Sequence, residues 1–470
     1  MNTQNQNNIK IAAFVCNWCS YAGADSAGTS RLQYDDSIRI IRFPCTGRID
    51  PIFIIKAFET EVDGVLVSGC HPGDCHYSTG NFYARRRFNV FRSLMEFIGL
   101  DLRRLHFSWV SAAEGAKWAN VVNKVSSEVK SIPNGKFKWA LTYHKKNNGQ
   151  NTEHKNKKTE LSKKIKNLYE SFIKEYNKPF PYEKENTLTE QLRTLAKNLL
   201  VNNKVNAIIG YKSSNFEKLT TPVVITNPES VNQLVWNRYC VNNLTSYLTR
   251  PKIKKLGKIG IVVKACDSKS IIGLIQENQI NRDDIFIIGI QCDGVLENEK
   301  ILEKCLSCSN RIPVIKNEYI YDKEIEIKLN VNVIDEAIKL IENSSIEERW
   351  NFWQEEFSRC IRCYACRTVC PFCYCETCIT DKHRPQWISP SASPKGNFSW
   401  NLIRAFHLSG RCIGCNECSR VCPVNIHLDI LNRKIALEIK KEFEYEAGVS
   451  IDVSPPLTTY RPDDSQEFIL

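Results

Sequence analysis

Residues 360–378 read CIRCYACRTVCPFCYCETC, and residues 412–423 read CIGCNECSRVCP. Cys360, Cys363, Cys366 and Cys370 stand at C-x2-C-x2-C-x3-C with Pro371 next. Cys412, Cys415, Cys418 and Cys422 repeat the spacing with Pro423 next. Each run has the spacing of a [4Fe–4S] site. Three cysteines two residues apart wrap a tight loop round one cluster. The fourth leaves beside a proline and points the other way, toward the partner cluster. Cys360, Cys363 and Cys366 are therefore expected to share a cluster with Cys422, and Cys412, Cys415 and Cys418 with Cys370. A zinc site takes four ligands in pairs, usually with histidines interleaved, and two identical four-cysteine runs fit that poorly. Together they read as a two-cluster ferredoxin module.

The chain has 470 residues. That is room for about three domains of ordinary size. Its apolar fraction of 42% allows each domain a core. No run of eighteen apolar residues is present, so no membrane span is expected. The start, MNTQNQNNIK, has no apolar stretch of signal type, so the expected location is the cytoplasm. In a reducing compartment 21 cysteines imply metal or redox chemistry, not a disulfide scaffold. The net charge of +12 is no nucleic-acid signal, because much of the lysine lies in one linker and thiolate-bound clusters add negative charge.

In the first third, the runs at 9–15 (IKIAAFV), 38–44, 64–69 and 105–110 read as strands, with helical segments at 50–62 and 81–99. Strands alternating with helices predict a parallel sheet. Cys16, Cys45 and Cys70 follow successive strands, with Cys19 and Cys75 close behind. The carboxyl ends of parallel strands share one edge, so these cysteines are expected to converge there. Four thiolates suit a [2Fe–2S] cluster; zinc, or small buried cysteines, are the alternatives.

FVCNWCSYAGADSAG (14–28), RFPCTGRIDP (42–51) and GCHPGDCHYSTGN (69–81) resemble the delta (iron–sulfur) subunit of methyl-viologen-reducing hydrogenases. The resemblance covers about residues 9–130 and includes all five cysteines. It implies a [2Fe–2S] cluster. It also implies electron transfer between a hydrogenase or dehydrogenase and the flavin subunit of heterodisulfide reductase.

Residues 144–160 are Lys- and Asn-rich without hydrophobic period and read as a linker. Helical segments follow at 161–176 and 188–203, then strand-like runs at 206–211, 222–226, 258–263 and 285–290, another α/β unit. Cys266 and Cys292 follow two of these strands, and Cys305 and Cys308 form C-x2-C. The four supply the thiolates of a third [4Fe–4S] cluster; the alternative is two core cysteines and a reducible dithiol. Their order resembles the beta-subunit family of deazaflavin-reducing hydrogenases and formate dehydrogenases, over about residues 187–320. Some of its members bind FAD, but no G-x-G-x-x-G follows any strand here, and that turn is what holds a pyrophosphate.

Ser345 and Glu348 form a capping box. Ile346, Trp350, Trp353 and Phe357 then mark one apolar face expected against the ferredoxin module. Segment 379–398 reads as loop, with a helix capped by Ser399 and stopped by Gly410; His407 on it reads as a packing residue. A further helix is expected at about 426–441, then an irregular tail. Cys373, Cys375, Cys378 and Cys240 find no assignment.

The expected fold class is α/β: an N-terminal parallel-sheet α/β domain (1–143), a linker (144–160), a second α/β domain (161–342) and a C-terminal two-[4Fe–4S] ferredoxin module (343–470). The expected function is that of an iron–sulfur electron-transfer subunit with no catalytic residues of its own. It would relay electrons between a hydrogenase- or formate-dehydrogenase-type subunit and a heterodisulfide-reductase-like flavoprotein, the middle cluster bridging the two ends. The alternatives are an FAD-containing dehydrogenase beta subunit and a zinc-holding scaffold.

Overall fold

The computed structural model describes residues 9–133, 139, 158–176, 185–216, 218–297, 299–306, 308, 310–322 and 332–470. Most of the expected linker, 144–157, lies outside them.

The N-terminal domain runs β1 (Ile11–Cys16), α1 (Ser20–Thr29), β2 (Ile38–Phe43), α2 (Pro51–Glu59), β3 (Gly64–Gly69), α3 (Gly80–Phe97), β4 (Leu105–Trp109) and α4 (Gly115–Lys130). Its strands form a parallel sheet in the order β2-β1-β3-β4. β1 and β3 are buried throughout, as a parallel sheet covered on both faces requires.

The second sheet has the order β11-β8-β7-β5-β6: β5 (Ala207–Ser213), β6 (Thr220–Ile225), β7 (Ile259–Val263), β8 (Ile285–Ile290) and β11 (Glu318–Ile320). All neighbours are parallel except β5 and β6, an antiparallel pair at one edge. α6 (Glu185–Val201) packs on this sheet; α7 (Pro251–Lys254) and α8 (Ala265–Gln276) flank β7. After β8 come a two-strand ribbon, β9 (Leu296–Glu297) and β10 (Lys300–Ile301), and the short α9 (Glu303–Leu306). α5 (Glu160–Tyr176) and α10 (Val333–Glu342), both of the expected second domain, do not join this core. Their apolar residues belong to the core that the first domain shares with the C-terminal module.

The C-terminal module comprises α11 (Ile346–Ser358), α12 (Ala365–Thr368), α13 (Pro394–His407), α14 (Glu417–Arg420) and α15 (Leu428–Phe443). The capping box forms as read: Glu348 N–H donates to Ser345 Oγ at 3.2 Å and Ser345 N–H to the Glu348 carboxylate at 2.9 Å. On α11, Trp353 and Phe357 are fully buried, joined by Phe352, while Ile346 is exposed. The Ile346 side chain is exposed although its carbonyl lies against Gly99, so the buried apolar face starts one turn later than its period suggests. α13 starts at Pro394, five residues before Ser399. Ser393 caps it, accepting from Gly396 N–H at 3.2 Å. Proline at the first helical position needs no donor there. Ser399 is buried inside the helix. Gly410, with φ +71°, ends the segment as read. His407 is half-exposed, 3.9 Å from Asp50.

The order in space differs from the order in sequence. α2 and α3 pack on α13 and α15, and Gly99 (φ +92°) allows the end of α3 against α11: a Cβ there would meet Trp350 N at 2.5 Å. The second sheet domain also packs on the C-terminal module, where Leu274 of α8 meets Phe372 and Leu408. The module therefore lies between the two sheet domains. The tail returns to the first domain. Leu470 N–H donates to Phe107 O at 2.8 Å and Trp109 N–H to Leu470 O at 3.2 Å, so the tail pairs with edge strand β4. Among the described residues no helix is long and apolar enough to cross a membrane.

Candidate metal centres

The first centre forms where β1, β2 and β3 end. Cys16 is the last residue of β1, Cys45 lies two residues past β2, and Cys70 directly follows β3. Cys16 Sγ lies 3.6 Å from Cys70 Sγ, and Cys45 Sγ lies 3.7 Å from Cys75 Sγ. Two thiolates on one tetrahedral metal with bonds of about 2.3 Å stand about 3.8 Å apart, so each pair has the span of one metal's edge. Cys19, at the N-terminus of α1, neighbours Cys70, Cys16 and Cys75. The hydrogen bond with Cys70 brings Cys16 down to about 6, while Cys70 is pushed up by that same contact and by burial. Burial lifts Cys45 to about 11. A bound metal would deprotonate all of these thiols, whichever way their neighbours shift them.

Sequence reading missed the groups that fix these loops. Asn81 donates to the carbonyls of Cys70 (3.2 Å) and His71 (2.6 Å). A hydroxyl chain, Ser108 to Ser68 (2.8 Å) to Ser20 (3.0 Å), ties the start of α1 to β3 and β4. Gly80 has no room for a side chain, because a Cβ would stand 2.5 Å from Cys45 Sγ. Asn81 and Gly80 belong to the stretch GCHPGDCHYSTGN, where the density of small and polar residues was the available signal. Trp18 and His76 stack at 3.8 Å over this end and are exposed.

In the C-terminal module the two cysteine runs fold alike. Arg362 and Tyr364 have φ of 59° and 58°, and Gly414 and Asn416, at the same places in the second run, have 71° and 51°. Left-handed backbone at Arg and Tyr costs on the order of 1 kcal/mol each, and such strain collects where a loop must wrap a ligand. One small cavity is lined by Cys412, Cys415, Cys418 and Cys370. Cys422 neighbours Cys360 and Cys366 instead. Arg404 is buried among Cys373, Cys418, Cys366 and Cys370. It donates to Cys366 O at 2.9 Å, and its Nε has no hydrogen-bond partner among the described residues. A buried donor left over between two groups of thiols fits anionic clusters on either side.

Of the unassigned cysteines, Cys373 contacts Cys370, which brings it down to about 6. Cys378 lies beside Arg367, and Cys375 is exposed. Cys240 is fully buried in the second sheet's core and accepts from Asn237 N–H at 3.4 Å.

The third centre is a cavity of about 230 Å³ bordered by Cys266, Cys292, Cys305 and Cys308, with Lys264, Lys304 and Arg311 and, from the C-terminal module, Cys412. Burial raises Cys266 and Cys305 and lifts Cys292 to about 12. Lys264 is buried against Asp267 (2.8 Å) and the Tyr211 hydroxyl (2.5 Å). Four thiols beside buried cations suit a thiolate-bound anionic group. Among the described residues no three His, Cys, Asp or Glu side chains are grouped so as to hold a single metal ion.

Residues 11–133 match the family model of the methyl-viologen-reducing hydrogenase delta subunit, and residues 359–427 match that of a 4Fe-4S dicluster domain. The vhc iron-sulfur subunit of the F420-non-reducing hydrogenase of Methanococcus voltae is 47% identical over 123 residues, 26% of this chain and 85% of that one. The chain belongs to the delta-subunit family. The corresponding iron-sulfur subunit of the F420-non-reducing hydrogenase of Archaeoglobus profundus is 40% identical over 129 residues, 27% of this chain and 93% of that one. A delta-subunit domain also occurs within a longer relative. It is a subunit of the ferredoxin/F(420)H(2)-dependent CoB-CoM heterodisulfide reductase of Methanosarcina acetivorans, 46% identical over 122 residues, 26% of this chain but 15% of its own length. The family match thus falls on the first sheet domain with its five cysteines, and the dicluster match on both four-cysteine runs.

Proposed function

We propose that this chain is a multi-cluster electron-transfer subunit. It relays electrons between a hydrogenase- or formate-dehydrogenase-type oxidoreductase and a heterodisulfide-reductase-like flavoprotein, in the cytoplasm. The observation that carries this reading is that thiol groups occur on all three modules, with the dicluster module in contact with both sheet domains. Clusters pass electrons one at a time without bonding to a substrate, so a series of them needs no catalytic side chains.

In this reading Cys16, Cys70, Cys45 and Cys75 hold a [2Fe–2S] cluster as two pairs, with Cys19 the fifth thiol. Cys360, Cys363, Cys366 and Cys422 hold one [4Fe–4S] cluster. Cys412, Cys415, Cys418 and Cys370 hold a second, and Cys266, Cys292, Cys305 and Cys308 a third. The relatives' names supply the partner classes, since one belongs to a hydrogenase and another to a heterodisulfide reductase. The FAD alternative gains nothing from the middle cavity. Its volume of about 230 Å³ falls short of the range in which ordinary ligand pockets lie.

The test is anaerobic affinity purification from the native cells. A flavoprotein of the heterodisulfide reductase type and an oxidoreductase are expected to co-purify. A chain that purifies alone, with a flavin absorbance band, would overturn the reading.

A further inference from the structure

A buried ladder of charges joins the second sheet domain to the dicluster module. Lys304, beside Cys305 on α9, donates to Glu417 Oε1 at 2.5 Å; the two side chains are 9% and 2% exposed. Glu417 begins α14, next to Cys418. Its other oxygen accepts from Arg420 at 2.7 Å, and Arg420 reaches back to Glu297 at 2.9 Å and Asn242 Oδ1 at 3.1 Å. The ladder therefore crosses the domain boundary twice, from α9 to α14 and from α14 back to β9 and Asn242. Lys304 lines the same cavity as Cys266, Cys292, Cys305 and Cys308, and so does Cys412 of the C-terminal module. Cys415 feels both charges of the pair, Glu417 more strongly than Lys304 and in the opposite sense.

Burying an ion pair loses more hydration than an exposed pair does, and it persists where geometry or another charge compensates. Here the cation lies between two groups of four thiols, which would each become anionic on binding a cluster.

We infer that the middle site and the Cys412–Cys415–Cys418 site exchange electrons directly across Lys304 and Glu417, and that Lys304 is a positioning residue that raises the potentials of both. This rests on the proposed reading of Cys266, Cys292, Cys305 and Cys308 as a cluster site. The step moves one electron: one site is oxidised as the other is reduced, no bond forms and no proton moves. The electron comes from the oxidoreductase partner. Reduction adds negative charge beside the ammonium, so the cation favours the reduced state at both sites. The dicluster module is then the centre of the path, and the middle domain is one end of it.

The experiment is a dithionite titration of the full chain, followed by EPR with iron analysis. Signals are assigned by their loss in Cys292→Ser, Cys370→Ser and Cys360→Ser. In Lys304→Met, iron content is expected to stay at the wild-type level, and the midpoints of the signals lost in Cys292→Ser and Cys370→Ser move negative together. The signal lost in Cys360→Ser stays, and Lys304→Arg restores both midpoints. If Lys304→Met loses iron, Glu417→Gln serves instead and shifts the same two midpoints positive. With iron unchanged, a shift of one signal alone, or of neither, overturns the inference. Wild-type iron lower by one cubane, with no signal assigned to Cys292, overturns the cluster reading beneath it and the inference with it.

Discussion

Arg86 and Asp464 stand 378 positions apart and form a two-pronged ion pair, Nε to Oδ2 at 2.5 Å and Nη2 to Oδ1 at 2.8 Å. Arg86 is 4% exposed and also donates to Pro456 O and Thr459 Oγ1; Arg85 beside it donates to the carbonyls of Arg461 and Pro462. The C-terminal tail is thus clasped to α3, and its last residue pairs with β4.

Removing one partner of such a pair leaves a buried charge unmatched. Asp464→Ala is expected to destabilise the chain by about 3 kcal/mol, read as a lowered unfolding midpoint, with the tail newly open to protease. Burial alone would raise the Asp464 carboxyl, but Arg86 outweighs it and holds the group below its ordinary 3.8. A depressed carboxylate stabilises fully above its unfolded value and loses that contribution as pH falls through the folded one. The gap between wild type and Asp464→Asn is therefore expected to hold from pH 7 to about 4 and to narrow below. Narrowing at pH 6 would mean another group controls the clasp.

Gly80 touches the Cys45 thiol, and any added Cβ must push it. Gly80→Ala is expected to lose about two irons, one [2Fe–2S] cluster, while the [4Fe–4S] EPR signals stay. Unchanged iron would count against Cys45 as a ligand.

The crossed pairing gives a second iron test. Cys422→Ser is expected to damage the cluster of Cys360, Cys363 and Cys366 and to spare the one of Cys412, Cys415 and Cys418. EPR of the reduced variant decides it; loss confined to the second cluster means that each run closes on itself.

Much of this was legible because it is local. The four strands of the first sheet and four of the five in the second were marked by short apolar runs, and β1 to β4 fall within two residues of the expected limits; the three-residue edge strand β11 was not marked. The cysteines at their ends followed from the edge rule for parallel sheets. Ser345 and Glu348 announce their helix because a capping box is written in four residues. What was not legible depends on distant partners. Nothing near Asp464 says that it meets Arg86, so the tail read as irregular. The β6 edge turned antiparallel because β6 follows its partner β5 after a short loop, which the apolar run alone does not specify. Ser393, not Ser399, caps α13, a choice settled by which serine the packing buries. The central place of the dicluster module depends on the apolar faces of α2, α3, α13 and α15 meeting, and residue order carries no sign of it.

The packing that centres the dicluster module gives a stability test. Trp353 is fully buried, its ring 5.7 Å from Phe97 of the first domain and 5.3 Å from Phe357. Trp353→Ala is expected to cost about 3–5 kcal/mol and to lower the unfolding midpoints of the first domain and the dicluster module together. Independent melting of the two would argue against a shared core.

Iron and acid-labile sulfide in the anaerobically purified chain test the central claim most directly. One [2Fe–2S] and three [4Fe–4S] clusters require about 14 of each per chain, with zinc absent. About 10 of each would leave the middle thiols without a cluster, and zinc without sulfide would contradict the electron-transfer account as a whole.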